Sequence, residues 1–377
     1  MMLASDQMKA TRAQEIKYKE VNRLILIGNG FDLAHGLKTS FKHFIEDYFY
    51  NILKLLIDNP GYKDDLISVY NKYDIHNIIP NFDHLSKEDL YIKFFELSKI
   101  NHIVVENESS FLKNIYTHIG NKSWVDIEII FFKMLKDSSK DEEKIKMINI
   151  EMDYLKRLLK EYLEDEYKAS KLKSISRLEN QFKQKFLKGE AQPNTLIEDK
   201  DINSICVLNF NYTKTPDLYL KELNIGNSHI QIHGSLEGDD INSQGLVFGF
   251  GDELDEEYLK FENLENDDLF EHIKSFKYLQ FQNYRNLLDF VESKPFQVHV
   301  YGHSLGLSDR TLLNTIFENE NCISIKLFYH KWEGGNDFEK KTYAISRHFK
   351  SKASLRSKVV NKEYCEPMGQ IPPSNYE

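Results

Sequence analysis

The sequence predicts an α/β protein with a parallel β-sheet whose first strand is followed by a large helical insertion. Four consecutive aliphatic residues at positions 24–27 indicate a strand buried on both faces, as in parallel sheets. Similar strand patterns recur late in the chain, with helical patterns between them, as parallel α/β sheets require. They lie at residues 205–210, 229–233, 246–250, 296–301 and 322–329.

The helices follow from apolar residues at helical spacing. Between residues 40 and 200 the chain is rich in Leu, Ile, Phe, Lys and Glu and poor in glycine. The pattern at 145–167 has separate apolar and charged faces, as a surface helix does. The predicted helices lie at residues 41–57, 87–105, 145–167, 264–293 and 310–317.

These elements divide the chain into three parts. Residues 20–40 and 200–350 form a discontinuous nucleotide-binding core, residues 41–199 form the helical insertion, and residues 351–377 form a basic tail. Six basic residues and no acidic one lie between Arg347 and Lys362. We expect this tail to be solvated, with contact to an anionic partner as the alternative.

Composition narrows the class of protein. The 377 residues carry a formal net charge of -10, which disfavours nucleic-acid binding because that binding needs an excess of Lys and Arg. Three widely spaced cysteines form no CxxC pair and suggest a reducing compartment. Residues 1–20 lack the apolar region of a signal peptide, and no apolar run approaches the roughly 20 residues that span a bilayer. We expect a cytoplasmic protein without a membrane partner.

The first candidate site is the turn after the first strand. Gly28 and Gly30 allow a sharp turn and a close approach to a ligand, and Asn29 lies between them. A strand, a glycine turn and a helix N-terminus together bind phosphate groups. The dinucleotide fingerprint is incomplete because Leu33 occupies the place of its third glycine. Asp32 would repel a phosphate unless it caps the helix or faces a ribose.

Two asparagines follow the strand at residues 205–208. Alternation along the strand places Asn209 and Asn211 on one side, where an asparagine can position a water molecule or bind a ribose hydroxyl. The alternative is an asparagine-rich turn or helix cap.

A histidine lies at the end of the next strand. The period of two puts His229, Gln231 and His233 on one face, and His233 precedes a glycine, where a general base is readily presented to a ligand. A satisfied structural histidine is the alternative. His229 and His233 could also bind a metal ion, but no third ligand has suitable spacing, so we expect no metal.

The motif at residues 302–306 has two interpretations. The sequence GHSLG matches a nucleophile elbow with Ser304 as nucleophile, and Asp337 and His348 follow in the order that a serine hydrolase needs. In the interpretation we favour, Gly302 and Ser304 hold a nucleotide and Asp309 caps the next helix.

A tryptophan and two acids begin an apolar helical pattern in the insertion. Trp124, Asp126 and Glu128 have a functional interpretation, which includes metal binding in a nuclease. The alternative is that acids in a first helical turn only stabilise the helix dipole.

Taken together, these motifs resemble those of the AbiH family of bacteriophage abortive-infection proteins over about residues 22–330. AbiH-like proteins are in turn similar to sirtuin-like NAD-binding domains, so the resemblance implies a Rossmann-like core. The motifs are LILIGNGFDLAHG at 24–36, WVDIE at 124–128, NFNYT at 209–213, IHGS at 232–235 and GHSLGLSD at 302–309.

The resemblance implies a role for each matching residue. It places Gly28 and Gly30 at a pyrophosphate, Asn211 at the ribose or the attacking water, and Ser304 near adenosine. His233 is the implied catalytic histidine. The implied activity is hydrolysis of the nicotinamide–ribose bond of NAD during phage defence.

Two positions depart from the sirtuin-like pattern, since Thr213 and Asp32 stand where an aspartate and a small residue are usual. These departures leave open a sensor that binds a nucleotide without catalysing a reaction. The serine hydrolase with Ser304 as nucleophile is a further alternative. A phage-derived trigger and a second copy of the chain are the further partners we expect. The predicted ligand-binding residues are Gly28, Asn29, Gly30, Asp32, Gly302, Ser304 and Asp309, with Asn211 and His233 as the predicted catalytic pair.

Overall fold

The computed structural model describes residues 19–117, 124–192, 198–237 and 245–371. The strands within these ranges are β1 (Asn22–Ile27), β2 (Gly61–Lys63), β3 (Ile67–Asn71), β4 (Ile103–Glu108), β5 (Ser204–Asn209), β6 (Gly226–Gln231), β7 (Phe296–Tyr301), β8 (Cys322–Phe328), β9 (Lys331–Trp332) and β10 (Gly335–Asn336).

The helices connect these strands and cover the sheet. They are α1 (Asn29–Ala34), α2 (Phe41–Asp58), α3 (Ile75–Ile78), α4 (Lys87–Lys99), α5 (Ser110–Tyr116), α6 (Trp124–Asp137), α7 (Glu142–Ala169), α8 (Ser176–Phe182), α9 (Asp217–Leu220), α10 (Glu256–Glu262), α11 (Lys274–Tyr278), α12 (Gln282–Ser293), α13 (Arg310–Glu318), α14 (Phe338–Ser346) and α15 (Lys352–Lys358).

A five-stranded parallel sheet forms the centre, in the order β6-β5-β1-β7-β8. Every residue of β1, β7 and β8 is buried, as expected for strands covered on both faces. Counted along the chain, this order is 3-2-1-4-5, the order of doubly wound folds. The predicted Rossmann-like α/β fold is confirmed. Its strand order reverses between β1 and β7, where such sheets open a crevice for ligands.

The segment between α1 and β5 contains a small sheet that the sequence analysis missed. Strands β2, β3 and β4 pair antiparallel beside the helices. The helix predicted at residues 87–105 ends at Lys99, and Asn101 turns the chain with a φ of +58°. The β-branched residues Ile103, Val104 and Val105 then form a strand, which is their preferred conformation.

The strand predicted at residues 246–250 is absent. This stretch makes a single bridge, from Phe250 to Ile273, and the ring of Phe250 stacks on Phe132 of α6 at 3.8 Å. Gly249 has a φ of +156° and lies against the carbonyl of His272, so the backbone bends where a strand would continue. The stretch therefore packs in the same hydrophobic core as α2, α4, α6 and α7.

The predicted solvated tail is packed against β8 over the part of it that the structure describes. Val359 bridges to Ile325, and Val360, Cys365 and Met368 are buried. Lys358 donates hydrogen bonds to carbonyl oxygens near the end of α13, where a cation is favourable. The expectation of a solvated tail is wrong because it followed the charges and overlooked these apolar side chains.

None of the helices within the described ranges is both long enough and apolar enough to cross a membrane. Cys206, Cys322 and Cys365 are buried and unpaired, in agreement with the absence of a disulfide pattern in the sequence.

Glycines bring the ends of β1 and β7 into direct backbone contact. A Cβ atom on Gly28 would lie 2.5 Å from the Cα of His303, and one on Gly302 would lie 2.2 Å from the amide nitrogen of Phe31. Gly302 also has a φ of +63°, which side chains disfavour. The glycines are needed where the two loops touch.

We predict that Gly302→Ala destabilises the protein by about 3 kcal/mol, because a left-handed φ and backbone overpacking both oppose the methyl group. Gly334→Ala is the matched control. It has a φ of +82° but open space around it, and should cost about 1 kcal/mol. Urea unfolding measures both. Equal losses in the two variants would contradict the close approach.

Candidate functional site

A cavity of about 340 Å³ opens where β1, β5 and β7 end. Its size lies within the usual range for small-molecule pockets. The loops after these strands form one wall. The segment between α1 and β5 forms the other, with the start of α2, Glu128 of α6 and Leu163 of α7. The cavity therefore lies between the sheet edge and the inserted helices.

Most of the predicted site residues meet in this cavity, and Gly30 is the exception. Gly30 packs beneath Gly302, to whose carbonyl its amide donates at 2.9 Å. The predicted residues that line the cavity are Gly28, Asn29, Asp32, Asn211, His233, Gly302, Ser304 and Asp309.

The glycine turn differs from a simple phosphate-binding loop. The amide of Gly28 donates to the carbonyl of Tyr301 at 3.0 Å, so the amides of both glycines of the turn are already paired. Of the helix ends that reach the cavity, those of α1 and α13 carry the acids Asp32 and Asp309, whereas at α2 Ser40 caps the first turn by accepting from the amide of His43. An anionic group would therefore be better placed near Ser40 than at the glycines.

The two asparagines after β5 have different roles. Asn209 shapes the turn, since its side chain accepts from the amide of Asn211 and donates to the carbonyl of Thr213. The side-chain nitrogen of Asn211 donates to the carbonyl of Gly28 at 3.1 Å. This bond joins the loops after β5 and β1 and fixes the Asn211 amide at the cavity.

Asp32 is a buried carboxyl group with one unused oxygen. It is 1% exposed, and its Oδ2 accepts from the hydroxyl of Thr213 at 2.7 Å. Its Oδ1 has no hydrogen-bond partner within the described ranges. Burial raises the pKa of Asp32 to about 6, against the effect of hydrogen bonds from Thr213, Thr215 and Asn211. Oδ1 is thus a buried acceptor without a partner on a residue that lines the cavity.

A chain of buried charges crosses the cavity wall. The ammonium group of Lys274 donates to Asp309 at 2.8 Å and to Glu128 at 3.0 Å. Burial opposes the charge of Lys274, but the two carboxylates outweigh it and raise the pKa. Burial likewise opposes the charge of Asp309, but Lys274, His233 and His303 together outweigh it and lower that pKa. For Glu128, burial dominates and raises the pKa to about 7.

This chain of charges corrects one expectation for Asp309. It occupies the N-cap position of α13, but its side chain makes no capping hydrogen bond. The carboxylate turns inward because Lys274 offers a buried partner. Sequence reasoning missed Lys274, which lies in a segment without a recognisable motif.

His233 faces the same carboxylate. Its Nδ1 lies 3.2 Å from the carbonyl of Phe210, and its Nε2 lies 3.1 Å from the hydroxyl of Tyr278 and 3.3 Å from Asp309. A carbonyl only accepts, so we assign the proton to Nδ1, and Nε2 then accepts a hydrogen bond from the hydroxyl of Tyr278. Burial, and then the charge of Lys274, lower the pKa of His233. The ring is therefore a neutral base at the cavity.

Two other histidines near the cavity, His303 and His229, already contact protein groups through their ring nitrogens. The Nδ1 of His303 accepts from the amide of Leu305, and burial lowers the pKa of His303 to about 3. His229 lies 2.7 Å from Asp217 and 3.1 Å from the side chain of Asn209. The alternative of a metal site made by His229 and His233 is therefore not supported, because Asp217 and Asn209 already contact both ring nitrogens of His229.

Ser304, Asp337 and His348 also do not form the hydrogen-bonded triad that a serine hydrolase needs. The Nε2 of His348 bonds the carbonyl of Leu305 at 2.9 Å, and the Oδ1 of Asp337 accepts from the amide of His330 at 2.6 Å. Neither group hydrogen-bonds Ser304, which is an exposed residue on the cavity rim. The GHSLG match is a turn in which Leu305, with a φ of +56°, takes the unusual backbone conformation.

The acidic motif of α6 contributes one residue to the site. Glu128 lies in the cavity wall, and its Oε1 also accepts from the amide of Gly249 at 3.1 Å. The side chains of Trp124 and Asp126 lie outside the described residues. A position early in an apolar helix was the only signal for Glu128.

The family model described as bacteriophage abortive infection AbiH matches residues 24–331, which is most of the chain and spans every segment that lines the cavity. No curated protein matches the chain.

We predict that Asp32→Asn stabilises the protein by about 2 kcal/mol at pH 8 and has little effect at pH 4. The folded state keeps the Asp32 proton up to about pH 6, whereas the unfolded chain releases it near its ordinary pKa of 3.8. Ionisation therefore costs stability as the pH rises through 6, and asparagine avoids that cost. Urea unfolding at the two pH values measures the effect.

Asp309→Asn is the matched control, and its effect on the stability of the protein should have the opposite sign. It removes the partner of a buried ammonium group and should destabilise the protein by about 3 kcal/mol at pH 8. Destabilisation by Asp32→Asn at pH 8 would contradict the proposed environment of Asp32.

Proposed function

This chain belongs to the AbiH family of bacteriophage abortive-infection proteins, and we propose that it binds NAD or a related nucleotide and hydrolyses the nicotinamide–ribose bond. Family membership supports the role in phage defence. The nucleotide proposal rests chiefly on one feature of the cavity, which is that a neutral His233 and Asp32, whose Oδ1 has no hydrogen-bond partner within the described ranges, line the same space. Loss of NAD in the cytoplasm would stop growth of an infected cell.

The charges in the cavity favour the nicotinamide–ribose end of the substrate. Asp32, Glu128 and Asp309 line the cavity, and Lys274, which pairs with two of them, is the only Lys or Arg among the described residues that line it. Such a site suits the cationic nicotinamide ring better than a phosphate. The phosphates would lie toward Ser40 at the start of α2, and Asp32 Oδ1 would accept a hydrogen bond from a ribose hydroxyl.

The reaction needs a leaving group, a nucleophile and a proton acceptor. The bond between the ribose carbon and the ring nitrogen breaks, its electron pair goes to the nitrogen, and neutral nicotinamide departs. Nearby carboxylates would stabilise the oxocarbenium-like sugar. Water held by Asn211 attacks the sugar carbon and releases one proton. Nε2 of His233 would accept it, and Asp309, 3.3 Å away, would stabilise the resulting imidazolium.

A second candidate function is nucleotide sensing without catalysis. The position that carries an aspartate in sirtuin-like domains carries Thr213 here, and Thr213 donates to Asp32. The paired amides of Gly28 and Gly30 also depart from a pyrophosphate loop. In this candidate function, nucleotide binding would control contact with a phage-derived trigger or a second copy of the chain.

We predict that His233→Gln lowers nicotinamide release from NAD at least 100-fold, because the proton acceptor is lost. NAD affinity should change less than threefold. Release is measured by chromatography with and without phage lysate, and affinity by calorimetry. His330→Gln, at an exposed histidine outside the cavity, is the control and should release nicotinamide at the wild-type rate.

Three outcomes separate the candidate functions. Loss of release together with loss of phage protection in His233→Gln supports hydrolysis. Binding of NAD or ADP-ribose by the wild-type protein without release under either condition supports sensing. Full release by His233→Gln would overturn the catalytic role of this residue.

A further inference from the structure

Three potential metal ligands cluster outside the cavity, where α7 meets the segment that precedes α11. They are Asp153 of α7 and the adjacent residues Glu271 and His272. One ligand atom from each lies within 4.8 Å of the other two. None of the three lines the cavity.

His272 is the unusual member of this group. The residue is 3% exposed, and in the part of the chain that the structure describes neither ring nitrogen makes a hydrogen bond of normal geometry, although the backbone of Asn149 lies near the ring. Its ring packs edge-on against Phe131, and its Nε2 lies 3.7 Å from the carboxylate of Asp153. Buried polar atoms almost always have a hydrogen-bond partner or a bound ion beside them. The His272 nitrogen that faces the Asp153 carboxylate would gain such a partner if a cation lay between the two groups.

The neighbouring side chains hold the group in place. Asn149, one turn before Asp153 on α7, donates to Glu271 at 2.9 Å and to the carbonyl of Asp268 at 2.7 Å. Lys156 donates to Oδ1 of Asp153 at 2.9 Å. The Asp153–Lys156 pair leaves Oδ2 of Asp153 for another ligand, although the ammonium group opposes a second cation.

We propose that Asp153, Glu271 and His272 bind one divalent transition-metal ion, best represented by Zn²⁺. One imidazole and two carboxylates suit Zn²⁺ or Mn²⁺, whereas Mg²⁺ and Ca²⁺ prefer oxygen ligands alone. Zinc bonds to these groups are about 2.1 Å long, so their ligand atoms lie up to about 4 Å apart. The observed spread needs only a small movement of side chains. Asp153 and Glu271 are exposed, which gives the ion a path to the buried imidazole.

The ion would have a structural effect on the cavity. His272 is two residues before Lys274, and both are tied to Phe250: the His272 carbonyl accepts from the Phe250 amide, and the Lys274 amide donates to the Phe250 carbonyl. A metal bridge from α7 to His272 would thus anchor the segment that places Lys274 beside Asp309. This inference is independent of the proposed chemistry in the cavity.

The test is metal binding by the tag-free full chain after removal of metals with a chelator. Equilibrium dialysis against Zn²⁺, Mn²⁺ or Mg²⁺, followed by elemental analysis, should give one Zn²⁺ per chain, weaker Mn²⁺ binding and no Mg²⁺. His272→Gln and Asp153→Asn should each weaken Zn²⁺ binding at least tenfold. Lys156→Gln should strengthen it, because it removes the competing cation. His84→Gln, at an exposed histidine outside the group, is the control and should bind as the wild type does.

The outcomes either support or overturn the site. Asp153→Asn changes an exposed side chain and keeps the test valid if His272→Gln fails to fold. Zinc that raises the thermal midpoint of the wild type but not that of Asp153→Asn would support the site. Absence of bound Zn²⁺ in the wild type, or equal binding by the wild type and Asp153→Asn, would overturn it.

Discussion

The ion pair between Lys274 and Asp309 is the interaction on which the candidate site depends. Two groups buried this deeply cannot both stay ionised unless they are paired and hydrogen-bonded. Here Nζ of Lys274 lies 2.8 Å from Oδ1 of Asp309. Lys274 keeps Asp309 ionised, and Asp309 lies against Nε2 of His233. The same ammonium group also disfavours protonation of the histidine. Burial and then Lys274 therefore keep the base neutral, and Asp309 is the carboxylate that would stabilise its protonated form.

The inserted segment completes this arrangement. Glu128 of α6 binds the other side of Lys274, and the start of α2 closes the cavity opposite the glycine loops. Burial of Glu128, Lys274 and Asp309 costs solvation energy that well-packed apolar side chains would avoid. We infer that function retains these charges, since they surround the cavity. Movement of α6 would change the environment of His233 without any contact between them.

The sequence predicts the parts of the site that follow strands. Gly28, Asn211 and Ser304 come directly after hydrophobic strands, and parallel strands bring their carboxyl ends to one edge. Lys274 and Tyr278 could not be predicted, because the chain between β6 and β7 reaches the site through packing on the insertion and carries a helical pattern without a motif that marks a site. The short strands β2 to β4 were missed for a related reason. A few β-branched residues inside a helical region give a weak local signal, and pairing decides their structure.

The most direct test is the protonation state of His233, which nitrogen and carbon NMR of the labelled ring reports. We expect a neutral ring with its proton on Nδ1 from pH 6.5 to 8, and a pKa that rises when Lys274 is replaced by methionine. A doubly protonated ring at pH 6.5, or a pKa unchanged by Lys274→Met, would contradict the role of the Lys274–Asp309 pair.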